Sequence, residues 1–436
     1  APAPSRVGAH SFHGPNPAMR TITLRRVVIT GLGTVTDVGN TVPEFWNALI
    51  EGKSGIGPIT LFTPTPEWSV TFAGEVRNLQ PEKRIDPKSI QRMDRFSVFG
   101  MCAAEEAVAD SGMDFSQGDP YRYGVAIGSG IGGIDTIEVG LRKLFDRGPR
   151  SVSPFVVPKL MVNALAGNVS IRFGLKGANI ATATACATGS HAIGAAFHII
   201  QRGDADVMVA GGSEGAVTPL CVGSFAAMKA LSTRNDDPTR ASRPFDRDRD
   251  GFVLAEGAGI IVMEELEHAK ARGARIYAEL VGFGVTGDAT HIAAPDDQGR
   301  GARKAMEIAL KDAELNTTDI KYINAHGTST PLGDKAEVLA VKSLFGAHAA
   351  NIAMSSTKGV TGHTLGGAGA IETVATVKAI VEGVLPPTIN LENPDEGFDL
   401  NFVANVAQEV KFDYAINNSF GFGGHNTSMV LARFRG

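Results

Sequence analysis

"NIATATACATGSHAIGAAFHIIQRGDADVMVAGGSE", residues 179–214, decides the fold. Its first seven residues read as the end of a strand. After Cys186, the residues Ile193, Ala196, Phe197 and Ile200 recur at i, i+3, i+4 and i+7, the stripe of an amphipathic helix, and Gly203 supplies the stop. "DVMVAGG" is short, largely apolar and closed by glycines, as a strand buried on both faces is. Strand, helix and buried strand in succession make an α/β unit.

The pattern spreads in both directions. "RRVVITGLGTVT", "YGVAIGSG", "GIIVMEE", "YAELVGFG", "YINAHG" and "NIAMSS" are similar strand-like runs. Helical patterns lie between many of them; Val374, Val377 and Val381 mark one that ends at Gly383. "LEHAKARGARIYAEL" has the charged helix end and turn of a junction near residue 270. The reading is therefore two similar α/β halves sharing one core, residues 26–270 and 271–436, without an exact sequence repeat. Residues 1–25 stand apart. They are rich in Arg and Pro, contain no acidic residue, and read as a flexible extension: a tag, a targeting remnant or a natural tail.

Composition narrows the function. With 436 residues, 43% hydrophobic and 20% charged, the chain has the balance of a globular protein with a large core. A net charge of −5 argues against a nucleic-acid binder. The longest apolar runs fall far short of the roughly 20 residues of a membrane helix. Three cysteines without CxxC spacing argue against a disulfide framework or zinc knuckle and for a reducing compartment. No HExxH pair occurs, and no metal centre is expected.

Cys186 sits at the start of a helix among small residues, with Ala185, Ala187 and Gly189 leaving room for an incoming thioester. Helix N-terminal N–H groups stabilise a thiolate and can hold an oxyanion. Local context alone leaves open a small buried hydrophobe. His326 in "NAHGTSTPLGDKAE" and His363 in "SSTKGVTGHTLGGAGAIE" each follow a strand and lie in a turn. In an α/β fold that edge is where ligands bind. Lys358 lies five residues before His363 in small, uncharged surroundings, and a buried lysine there needs an acid such as Glu372. "NNSFGFGGHN" (417–426) sets Phe420 and Phe422 among glycines, as a swinging gate or as a tight turn with two core aromatics. "GSGIGG" (128–133) satisfies GxGxxG, but no acidic residue follows at a strand end about 20 positions on, so no dinucleotide site is expected. Lys88, Arg92 and Arg95 fall at i, i+4 and i+7, a basic helical stripe that suits an acidic partner if it is more than a solvated face.

One cysteine and two histidines at strand-to-loop junctions suit carbon–carbon bond formation on thioesters. The thiolate holds an acyl group, and the imidazoles hydrogen-bond a developing enolate oxygen while CO₂ leaves.

"TACATGSH", "NAHGTSTPLGDKAE", "STKGVTGHTLGGAGAIE" and "NSFGFGGHN", in that order, resemble the elongating β-ketoacyl-[acyl-carrier-protein] synthases of type II fatty acid synthesis. The resemblance runs from about Arg26 to the C-terminus. It implies the thiolase fold, two βαβαβαβαβ halves forming a five-layered α-β-α-β-α core, in a homodimer. Cys186 resembles the acyl-accepting nucleophile, His326 and His363 the pair that supports decarboxylation of a malonyl thioester, and Lys358 the active-site lysine, paired with Glu372. Phe420 resembles the gating phenylalanine whose N–H joins that of Cys186 in the oxyanion hole. Thr328 and Thr330 resemble contacts to the pantetheine arm, and Ile131 a residue of the acyl pocket, with Phe422 also on the substrate side. Lys88, Arg92, Arg150 and Lys229 fall where the family presents positive charge to acyl carrier protein. No cofactor is implied, since the substrates carry their own 4'-phosphopantetheine. The expected location is the cytoplasm, or an organelle matrix or stroma if the extension is a targeting remnant. The ketosynthase of a type II polyketide pathway is the alternative. Departures are Gly359-Val360 where many relatives have Ser-Met, His425 where many have Thr, and Ala187 where Thr is common.

Overall fold

The computed structural model describes residues 23–436. The extension assigned to residues 1–25 lies outside them through residue 22.

Ten strands form one continuous sheet. In chain order they are β1 (Val27–Val35), β2 (Tyr123–Gly128), β3 (Asn179–Ile180), β4 (Val207–Glu214), β5 (Gly257–Glu265), β6 (Ala278–Gly287), β7 (Tyr322–Asn324), β8 (Ala353–Ser355), β9 (Tyr414–Gly421) and β10 (His425–Arg433). The spatial order β3-β2-β4-β5-β1 continues into β6-β10-β9-β7-β8. Read inward from either edge, the pairings run parallel, parallel, antiparallel, antiparallel. Antiparallel β1 and β6 join the two sets through Val27–Ile29 and Ala278–Leu280.

Seven helices accompany it, and all but α2 form the layers: α1 (Arg95–Ser111), α2 (Ile134–Arg147), α3 (Ala164–Phe173), α4 (Thr188–Gln201), α5 (Arg300–Asp312), α6 (Pro331–Phe345) and α7 (Ala368–Glu382). The strand β4 shows why the apolar runs are continuous. Met208 and Ala210 face a core shared with Ile193 and Phe197 of α4 and Val374 of α7, while Val207 and Val209 face a core with α1 and α3. A third core lies under α5 and α6. The arrangement is α-β-α-β-α, the thiolase fold, with α4 and α7 in the middle layer. Close approach repeats between the halves. A Cβ on Gly31 or Gly33 would lie 2.1 and 2.0 Å from carbonyls of α1, and one on Gly282 or Gly284 would lie 2.2 and 2.0 Å from carbonyls of α5. "GLG" and "GFG" are thus the same packing device used twice, a correspondence the sequence carries in only three residues.

The seven strand-like runs and the two marked helices all form. The hairpin β9–β10 forms where the pattern of residues 417–426 reads as a loop: buried Asn417, Asn418, Ser419, Thr427 and Ser428 separate its apolar ends, Ala415-Ile416 and Met429–Ala432. The basic stripe is corrected. Its helix stops at Gln91, Asp94 caps α1, and the Arg95 guanidinium pairs with buried Glu256 instead of joining Lys88 and Arg92.

Candidate active site

Three elements carry the reactive groups to one place. Cys186 occupies a single 3-10 turn, Ala185–Ala187, that runs directly into α4. Ala185 sits at φ 50°, a left-handed conformation that costs an alanine energy and that the surrounding structure must hold. The Thr184 N–H donates to Thr188 Oγ1 and closes the turn. His326 follows β7. Its N–H donates to Glu337 Oε1 of α6 at 2.9 Å, and the Gly327 N–H donates to Oε2 at 2.8 Å. His363 precedes α7 and is pinned by backbone bonds to Val253 and Ala255.

These placements make the side chains converge. The Cys186 sulfur and one ring nitrogen from each of His326 and His363 all lie within 4.8 Å of one another. The imidazoles stand nearly perpendicular, 5.4 Å between centroids. Both ring nitrogens of His363 and Nδ1 of His326 have no partner. Buried polar groups are normally satisfied, so free ring nitrogens mark groups kept available for a substrate. The same three atoms are close enough, among the described residues, to share a metal ion. The Lys358 ammonium acts on all three and opposes a further positive charge there.

Electrostatics sets the resting protonation. Burial, reinforced by the Lys358 charge, holds both imidazoles well below the usual histidine range, so they are neutral at pH 7. Burial pushes the Cys186 thiol up to about 12, against the pull of Lys358 and of N–H groups at the sulfur. At rest the centre holds a thiol beside neutral bases. Lys358 is fully buried and bonds to Glu372, whose carboxyl burial raises to about 7.

The centre lines a cavity of about 610 Å³ that also takes in Ile131, Lys229, Thr328, Thr330, Phe420 and Phe422. Cys186 itself is only 7% exposed, so a substrate reaches it through this cavity. The Thr328 and Thr330 hydroxyls lie 3.0 Å apart on its wall. Lys229 stands at its mouth; Lys88, Arg92 and Arg150 are exposed but are not among the lining residues.

The gate expectation is corrected. The backbone N–H that reaches the sulfur beside that of Cys186 belongs to Phe422, not Phe420. Phe420 is still in β9, paired with Asn426, and its ring packs 5.8 Å from that of His326. Phe422 rides the turn beyond the last strand pair, Gly421 with His425. That turn passes so close to the nucleophile that a Cβ on Gly421 would lie 3.0 Å from the Cys186 nitrogen.

Two carboxylates escaped the sequence reading. Glu337, which orients the His326 loop, sits at the end of the quoted "GDKAE". Glu214 is buried at the end of β4 and accepts from Ser129 Oγ and from the N–H groups of Gly130, Ile131 and Gly366. The donors of the GxGxxG turn are thus spent on a protein carboxylate, which leaves none for a pyrophosphate. Gly359, one of the departures, lies against Ile389, where a Cβ would meet Cγ1 at 2.7 Å. The smaller residue fits this chain's own packing.

Known proteins agree with this geometry. Residues 24–269 match the N-terminal domain of the β-ketoacyl synthases and residues 277–392 their C-terminal domain. The chain is 52% identical over 410 residues to 3-oxoacyl-[acyl-carrier-protein] synthase 2 of Vibrio harveyi, covering 94% of this chain and 99% of that one. It is 50% identical over 417 residues to the protein of the same name from Synechocystis, covering 96% and 100%. A β-ketoacyl synthase structure from Burkholderia phymatum superposes with a TM-score of 0.87 at 37% identity, covering 94% and 100%. A type II polyketide ketosynthase in complex with its acyl carrier protein gives 0.88 at 35%, with the same coverage. Matched along both halves and built around one cysteine and two histidines, the chain belongs to the β-ketoacyl synthase family.

Proposed function

We propose that the protein elongates fatty acyl chains by a decarboxylating Claisen condensation between an acyl group on Cys186 and malonyl-acyl carrier protein. The observation that carries this is the meeting of Cys186, His326 and His363 within 4.8 Å at a cavity wall. Cys186 attacks the thioester carbonyl of an acyl-carrier protein. A neutral imidazole takes the thiol proton and returns it to the departing pantetheine sulfur. The N–H groups of Cys186 and Phe422 hold the oxyanion. Malonyl-carrier protein then enters. Its C–CO₂ bond breaks, CO₂ leaves, and the electron pair forms an enolate whose oxygen His326 and His363 hold. The enolate carbon attacks the acyl carbonyl, the Cys186 thiolate leaves, and a 3-oxoacyl chain two carbons longer remains on the carrier.

The carrier protein is the partner, with Lys229 and the threonine-lined wall receiving its arm. Fatty acid use is favoured over polyketide use because relatives at 50–53% identity are named 3-oxoacyl-[acyl-carrier-protein] synthase 2. The polyketide ketosynthase structure stands at 35%. A homodimer is supported by apolar side chains left exposed on α2 (Val139, Leu141, Leu144, Phe145) and on the adjoining segment at Phe155 and Val157, and by the two-residue strand β3 standing at the sheet edge. No helix among the described residues is long and apolar enough to cross a membrane, and the three free cysteines suit a reducing compartment. An elongation assay with carrier proteins bearing acyl groups of graded length tests the reading. A purified protein that releases no CO₂ and extends no chain overturns it.

Lys358 gives a second prediction. Its charge helps keep both imidazoles neutral. In Lys358→Met their pKa values rise toward the ordinary range, so they protonate at higher pH. The acid limb of the kcat/KM profile is expected to move to higher pH; an unmoved limb contradicts this role.

A further inference from the structure

We propose that His425 is a positioning residue which, through His191, holds the Gly421–Gly424 turn where the Phe422 N–H meets Cys186. The proposal rests on the reading of Cys186 as acyl acceptor, and goes beyond it to what fixes the oxyanion geometry. The turn has one bond of its own, from the Gly424 N–H to the Gly421 carbonyl (3.1 Å); beyond it, Gly423 and Gly424 at φ of 84° and 73° confer no stiffness. Two backbone bonds tie it outward, from Gly423 N–H to the Ile292 carbonyl (2.7 Å) and from Asp288 N–H to the Gly424 carbonyl (3.0 Å). Ile292 is itself 78% exposed, so the first of these is superficial; the second is backed by buried Asn426, whose Nδ2 donates to the Gly424 carbonyl (3.3 Å) and to Asp288 Oδ1 (2.7 Å), at the end of the turn away from Phe422.

The inward anchor is aromatic. His425 lies across the hairpin from Gly421, and its ring atoms come within 3.1 Å of where a Cβ on Gly423 would sit. Its ring is 6.0 Å from that of His191, at 89°. His191 belongs to α4, five residues after the nucleophile. Its Nδ1 contacts Thr184 Oγ1 at 2.8 Å and the Ala187 carbonyl at 3.2 Å, two residues before and one after Cys186. Two rings therefore bridge the turn that carries the nucleophile and the turn that carries the second oxyanion donor. Edge-to-face rings give a directional contact. Burial, with His425 adding to it, holds His191 below the usual histidine range, so the His191 ring is uncharged at neutral pH.

The test compares His425→Ala with His425→Phe in the full chain. One readout is the rate of Cys186 alkylation by iodoacetamide, followed by intact mass, which needs no carrier protein. The other is steady-state condensation. The alanine variant is expected to free the turn, exposing the sulfur and alkylating about fivefold faster, with kcat about tenfold lower and carrier KM within about twofold. The phenylalanine variant keeps the ring and is expected to behave as wild type in both. Either readout staying at wild type in His425→Ala overturns the proposal, as does a folded His425→Phe as impaired as alanine. Should the wild-type protein not condense carrier substrates, the functional reading falls while alkylation still decides the bridge.

Discussion

Cys186→Ala is expected to form no acyl-enzyme and to lose condensation by about 10⁴-fold or more, the scale on which a covalent nucleophile's removal is felt. The reason is positional. Cys102 and Cys221 are buried, burial pushes their thiols up to about 11, and neither lines the cavity. Neither can inherit the acyl group. The remaining machinery, both imidazoles and the Phe422 N–H, survives the change, because alanine keeps the 3-10 turn and removes only the sulfur. The measurement is intact mass after incubation with acyl-carrier protein. Wild type should gain one acyl group and the variant none. A variant that still gains the mass would show that the nucleophile lies elsewhere.

That cysteine was legible from its neighbours in sequence only as an open choice. What separates a reactive thiol from a buried one is the arrival of His326 and His363, and those come from strands 140 and more residues away in the chain. The motifs pointed to them because each histidine sits at the C-terminal edge of a strand, where ligands bind in an α/β fold. The strands were legible where both faces are apolar, as in β4 and β5. The hairpin β9–β10 was not, because buried Asn, Ser and Thr at 417–419 and 426–428 interrupt the pattern between its apolar ends. The same hairpin explains the slip from Phe422 to Phe420. Two phenylalanines flank a glycine, and which one leaves the strand depends on where pairing ends. Pairing ends at Gly421 with His425, a tertiary fact that the local pattern does not encode. Glu214 and Glu337 were hidden for a related reason: most of their partners are backbone N–H groups, and their side-chain partners, Ser129 and Asn418, lie 85 and 81 residues away in the chain.

His326→Ala and His363→Ala are expected to separate the two halves of the reaction. Acyl transfer needs the sulfur, the Cys186 and Phe422 N–H groups and one base, and each single variant keeps one imidazole within reach of the thiol. The acyl-enzyme should therefore form. Decarboxylation needs both rings, because the enolate oxygen has no other paired donors among the groups gathered at the centre. Losing one preorganised donor costs about 10²–10³ in rate. The effect should be at the upper end here, since the oxygen would be left half-satisfied among buried side chains. Following CO₂ release from malonyl-carrier protein on a pre-acylated variant measures this step alone. The two variants should resemble each other in that assay and differ little from wild type in acyl-enzyme yield. Release at the wild-type rate from either would remove that histidine from the enolate and leave it only the role of proton carrier for Cys186. The neutrality of both rings makes the distinction sharp. An imidazole that starts unprotonated can take the thiol proton in the first half and present an N–H to the enolate in the second, so one side chain serves both steps without a change of place.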